Sequence, residues 1–192
     1  NKKQTPLWPL AKIRANKTPI DWSAYQPKVP RALGRRVFKN FDLAELVPFI
    51  DWGPFFQTWD LAGPYPAILT DEVVGVEATR VFADAQAMLK KIVEGRWLSA
   101  SGVLGLYPAN SVGDDIEFYT DETRSEVAMT WYGMRQQTEK HVIDGITRPS
   151  RCLSDFVAPK DSGIADYAGM FAVTAGLGIE KKEKAFMDDL DD

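Results

Sequence analysis

Apolar residues recur at intervals of three and four along one stretch of the chain. Val74, Ala78, Val81, Ala85, Met88 and Ile92 form a stripe, and Val73, Phe82 and Leu89 widen it. This period predicts one amphipathic helix of about six or seven turns, running from Thr70 to Glu94. Thr70 is placed to N-cap it, Asp71 and Glu72 suit its positive end, and Lys90 and Lys91 its negative end. Gly95 suits a left-handed C-terminal cap. Beyond Ser101 the pattern shortens. Residues 102–109, 116–120, 127–132, 156–158 and 167–174 are rich in β-branched and aromatic side chains and are separated by Gly, Asn, Asp and Pro. They read as four or five strands, and the short connections around Asp114 and Asp121 predict hairpins and an antiparallel sheet.

The first 48 residues break both patterns. Pro6, Pro9, Pro19, Pro27, Pro30 and Pro48 remove backbone donors, so this stretch reads as an irregular arm. Trp8, Trp22 and Tyr25 are the residues expected to lay it on a core. Asp42 is placed to N-cap a short helix carrying Leu43, Leu46 and Val47. From Glu180 a charged helix is expected, finishing in acidic residues. The tripeptide Ile-Asp-Trp occurs at residues 20–22 and 50–52 without surrounding similarity, and is no repeat.

Composition narrows the function. The 192 residues are 45% hydrophobic and 26% charged, enough for a real core. Lys plus Arg number 23 against 27 Asp plus Glu, and Asp188, Asp189, Asp191 and Asp192 account for that excess. A balanced body argues against broad nucleic-acid binding. Cys152 has no partner for an internal disulfide, and with His141 as the single histidine it is too little for a structural zinc site. No apolar run reaches the length of a membrane helix, and the start at Asn1 lacks the apolar stretch of a secretory signal. The expectation is a cytoplasmic protein with no membrane or nucleic-acid partner.

Several residue groups could carry chemistry. Asp114, Asp115 and Glu117 have the oxygens a hard cation wants, but not calcium-loop spacing, and read as turn formers entering a strand. His141 sits in a polar run, with no nucleophile in reach. Residues 135–140 read as a solvated polar face with a basic contact as the alternative. Gly102 and Gly105 lack the lysine and helix of a phosphate loop and mark a bulge or a close approach of another chain segment. The densest feature is residues 49–66, where Trp52, Phe55, Phe56, Trp59 and Tyr65 surround Asp51. Packing alone favours an aromatic plug with Asp51 capping the turn at Pro54. The functional alternative is a pocket in which Asp51 pairs with a cationic group of a small ligand.

The segment Phe49-Ile-Asp-Trp-Gly-Pro-Phe-Phe56, with Trp59, Gly63, Tyr65 and Pro66, resembles the start of the activation domain of cobalamin-dependent methionine synthase. Blocks at residues 71–78, 102–110, 113–117, 135–140, 152–159 and 171–173 fall in the same order and at comparable spacing. The proline-rich arm resembles the linker that enters this domain. The organisation expected is then an entry arm over residues 1–48, with a short helix, and the N-terminal part of the activation domain over residues 49–192.

The resemblance implies an α+β fold with a twisted, largely antiparallel sheet and packed helices. It implies a methyltransferase of methionine biosynthesis whose activation domain binds S-adenosylmethionine for reductive remethylation of inactive cobalamin. Asp51 matches the family's S-adenosylmethionine-binding aspartate, and no residue is implied as catalytic or as a metal ligand. Cobalamin is bound by another module, zinc belongs to the parent enzyme only, and a flavodoxin-type or diflavin reductase supplies the electron. The family's later Arg-Pro-Ala-Pro-Gly-Tyr-Pro type loop is not among these residues, so the sequence reads as an incomplete activation domain that is inactive alone. Gly53 and Pro64 also depart from residues common at their positions. The alternative is a non-catalytic half-domain that docks cobalamin-binding and flavodoxin-type partners.

Overall fold

Prolines delimit the elements of the arm. The computed structural model describes residues 5–188. Helix α1 (Leu10–Ala15) follows Pro9, whose fixed φ and missing N–H cost nothing at a helix start. Strand β1 (Gly34–Phe41) occupies the proline-free interval between Pro30 and Pro48. The arm is thus less irregular than the proline count predicts. Its anchors also differ from the expected aromatics. Ile13 is 0% exposed, whereas Trp8 and Trp22 are half-buried and Tyr25 is largely exposed. Backbone bonds do the rest: Trp8 N–H donates to the Gln137 carbonyl, Glu139 N–H to that of Pro6, and Ser150 N–H to that of Asn16.

Asp42 caps α2 (Leu43–Leu46) as expected, its carboxylate accepting from Ala44 N–H at 3.0 Å. Asp42→Ala is expected to lower stability by about 0.5–1 kcal/mol, read as a shift in urea midpoint at unchanged slope. Helix α3 (Gly53–Thr58) follows, with Pro54 in its first turn.

The long helix forms as α4 (Gly75–Glu94), with both ends corrected. Thr70 Oγ1 donates to the Ala67 carbonyl, while Asp71 accepts from the N–H groups of Val73 and Val74, both at 2.9 Å. The capping turn therefore precedes the helix, and Val73 lies outside the buried stripe at 90% exposure. Gly95 has φ −81° and the left-handed residue is Arg96, at φ +48°. Gly95 is instead a close approach, because a Cβ there would meet the Trp97 ring nitrogen at 2.2 Å.

Strands β2 (Ser99–Val112), β3 (Asp115–Tyr119) and β4 (Val127–Trp131) follow. Then come the short β5 (Val142–Ile143) and β6 (Ile146–Thr147), the long β7 (Asp166–Leu177), and α5 (Ile179–Asp188). The main sheet has the order β1-β2-β3-β4, with β7 also on β2. The β2–β3 and β3–β4 pairs are antiparallel. Gly113, at φ +62°, opens the two-residue turn between Val112 and Asp115. The expected α+β architecture with an antiparallel sheet is the one observed.

Two further expectations change. Residues 156–158 form no strand: residues 153–156 make a 3₁₀ turn, and Asp155 accepts the Cys152 N–H at 3.1 Å. The β5–β6 hairpin arises where no element is expected, and Asp144 and Gly145, at φ +52° and +76°, make the turn that an Asp-Gly pair favours. The charged helix beyond residue 179 is α5, and the acidic residues 189–192 lie outside the described residues. No described helix is long and apolar enough to cross a membrane.

The chain forms two compact units. One comprises Asn1–Arg36 with Leu104–Phe171, the other Val37–Val103 with Ala172–Asp192. The first has a core of Ala109, Ile116, Phe118 and Val157; the second centres on Phe56, Leu61, Ile68, Ala78 and Val81.

Candidate functional site

In the second unit, the aromatic segment folds as a plug. Phe56 is 0% exposed, and Trp52 meets Phe55 and Phe82 edge-on at 5.4 and 4.9 Å between ring centres. Tyr65 stacks on Phe56 at 6.2 Å and leans on Phe82 at 5.5 Å. Phe82 joins from α4, which is why α3 is fixed against that helix. Trp59 keeps more than half of its surface in solvent.

Asp51 stands just before α3 and is exposed. Its Oδ1 accepts the Gly53 N–H at 3.0 Å, the local turn that packing alone predicts. A Cβ at Gly53 would lie 3.2 Å from that oxygen, so glycine leaves the contact unstrained. Oδ2 takes no hydrogen bond among the described residues. Asp51 is therefore a capping carboxylate with one oxygen free for an ammonium donor, rather than a carboxylate enclosed by rings.

The acidic turn in the first unit is spent on structure. Asp114 pairs with Arg14 at 2.8 Å and Arg135 at 2.9 Å. Asp115 accepts the Gly133 N–H, and Glu117 pairs with Lys160 at 2.8 Å, which holds its carboxyl below the usual range. No group of three potential metal-ligating side chains occurs among the described residues.

Arg135, placed on a solvated face by sequence, is 8% exposed. Its guanidinium grips Asp155 with two bonds of 2.7 and 2.6 Å, and donates to Asp114 and to the Ser150 carbonyl. Burial pushes the Asp155 carboxyl up. The Arg135 fork and the N–H groups of Cys152 and Thr18 outweigh it and leave the carboxyl below the usual range. Asp114 is held low in the same way, Arg14 and Arg135 overcoming its burial. His141 is exposed, as expected. Of the two glycines, Gly105 leaves room for the Tyr107 ring two residues along the same strand, and Gly102 lies against Val173 of β7, where a Cβ would sit at an ordinary contact distance of 3.5 Å.

Two hollows of the second unit are lined by residues other than Asp51. A polar cleft of about 540 Å³ is lined by Asn40, Asp42, Arg96, Trp97 and Leu177 among others. Asn40 and Arg96 are both left-handed, at φ +49° and +48°. An apolar groove of about 310 Å³ runs past Phe38, Phe41, Leu46 and Val173. Sequence reasoning named neither, since their walls come from β1, the end of α4, β2 and β7, segments far apart along the chain.

Comparison with known proteins bears on these residues. Residues 42–192 match the family described as vitamin B12 dependent methionine synthase, activation domain. The fold is similar to a crystal structure of the MetH reactivation domain bound to AdoHcy. The TM-score is 0.82 and the identity 50%, over 97% of this chain and 56% of that one. The chain thus spans little more than half the length of that solved structure.

Proposed function

The chain belongs to the activation-domain family of vitamin B12 dependent methionine synthase, and on that premise we propose that it supplies one part of a site for S-adenosylmethionine. The observation carrying this reading is the 50% identity, over nearly the whole chain, to a domain bound to AdoHcy, the demethylated form of that ligand. The donor set at Asp51 fits the assignment: a free, exposed carboxylate oxygen beside a rigid turn suits a ligand's amino group. Bound S-adenosylmethionine supplies a sulfonium methyl that is already electrophilic and carries its own leaving group. The chain's contribution is to hold and orient, with no side-chain nucleophile of its own. In the complete enzyme this serves reductive remethylation of cobalamin, which is bound on another module and reduced through a flavodoxin-type or diflavin partner. The division into an entry arm, residues 1–48, and a domain portion, residues 49–192, belongs to the same proposal.

Titration calorimetry of S-adenosylmethionine tests it, first with the chain alone and then with the C-terminal remainder of a family domain added. Heat of binding only in the second case is the expected result and makes the site a composite one. No binding in either case favours the docking half-domain, a reading that the exposed apolar groove of Phe38, Leu46 and Val173 supports.

A further inference from the structure

The chain has no acidic residue between Asp21 and Asp42, yet Lys28, Arg31, Arg35 and Arg36 fall within that interval. All four belong to the first unit and are exposed. None makes an ion pair among the described residues, whereas Arg14, Arg80, Arg135 and Lys160 all do. Apolar side chains alternate with them: Tyr25, Val29 and Leu33 are 56%, 65% and 38% exposed. Pro27 and Pro30 stiffen the backbone between, so little conformational freedom remains to be lost on binding. Unopposed cations interleaved with exposed apolar and aromatic groups on a stiff segment have the anatomy of a protein interface. A polyphosphate partner fits less well, because the exposed aliphatic side chains of Val29 and Leu33 have nothing to contact on a phosphate backbone.

We propose that residues 25–36 form an exposed docking segment for a carboxylate-rich, extended stretch of a partner protein. The proposal does not rest on the methyl-donor reading, and its test does not use S-adenosylmethionine.

The probe is a labelled poly-L-glutamate peptide, followed by fluorescence anisotropy against the full chain at low and at physiological salt. Saturable binding that weakens with salt is expected. The quadruple variant Lys28→Glu, Arg31→Glu, Arg35→Glu, Arg36→Glu is expected to lose at least about tenfold in affinity with an unchanged melting temperature, since all four side chains are in solvent. Arg35→Gln with Arg36→Gln should fall between the two. A control variant with the same change in net charge carries Lys90→Glu, Lys91→Glu, Lys181→Glu and Lys184→Glu, and should bind as the parent does. Equal loss in that control would reduce the effect to net charge and overturn the proposal. So would binding of a single-stranded oligonucleotide as tight as that of the peptide, or absence of peptide binding at low salt.

Discussion

Arg135→Met is expected to lower the unfolding free energy by about 3–5 kcal/mol, because it strands the Asp155 carboxylate in a site that was built around the guanidinium. Both side chains are about 2% exposed, so water cannot replace the lost partner. Arg135→Lys keeps the charge but loses the two-pronged grip on Asp155, and should fall between variant and parent. Urea denaturation near neutral pH measures both.

Acid separates this mechanism from simple loss of packing. In the parent, the folded-state pKa values of Asp155 and Asp114 lie below the ordinary 3.8. Their contribution is therefore fully present above about pH 4 and is lost as pH falls through those lowered values. In Arg135→Met, burial acts on Asp155 without the opposing cation and raises its pKa. The sign reverses there: the penalty is present above the raised value and is removed as pH falls through it toward about 4. The stability gap between the two proteins should narrow in acid. A loss under about 1 kcal/mol near neutral pH, or a gap independent of pH, would place Arg135 with ordinary surface pairs.

The second large effect concerns ligand affinity. Asp51→Asn, in a preparation that contains the rest of the domain, is expected to weaken S-adenosylmethionine binding by about 10- to 100-fold, the cost of one hydrogen bond losing its charge. The substitution is chosen on geometry. The asparagine carbonyl can still accept the Gly53 N–H that Asp51 accepts at 3.0 Å, so the turn into α3 is kept and only the anionic oxygen is removed. A matched melting temperature alongside the weakened titration isolates the charge. Affinity within about twofold of the parent would remove Asp51 from the site.

How far these residues can be read from sequence depends on the distance over which their environment is set. Helix α4 is legible because its stripe is periodic and local. Its start is not, since Thr70 and Asp71 are adjacent cap candidates and the preceding turn engages Thr70 first. The hairpin turns at Gly113 and Asp144–Gly145 carry local signals, though the strands flanking the second are only two residues long and too short to show a period. Arg135 has no local signal. Its partners Asp114 and Asp155 lie 21 and 20 residues away on either side, and only the folded chain brings them together. Asp51 is a middle case. Its neighbours specify a turn cap, which is what forms, while the assignment to a ligand rests on kinship with a family and not on enclosure by its aromatic neighbours.

The interleaving of the two units bears on how the protein comes off the ribosome. Each unit is assembled from two stretches of chain, and the chain passes from one to the other after Arg36, Val103 and Phe171. Residues 5–36 cannot find their partners in the first unit until the stretch from Leu104 to Phe171 has been made, because Asn16 and Thr18 bond to segments around Ser150 and Asp155. Synthesis therefore holds the arm idle for more than a hundred residues, with Asn16 and Thr18 still without these partners. Closing so long a loop is a slow route to native contacts. The nascent arm is thus the natural target for a chaperone, and translation speed between Val37 and Ser150 sets how long that exposure lasts.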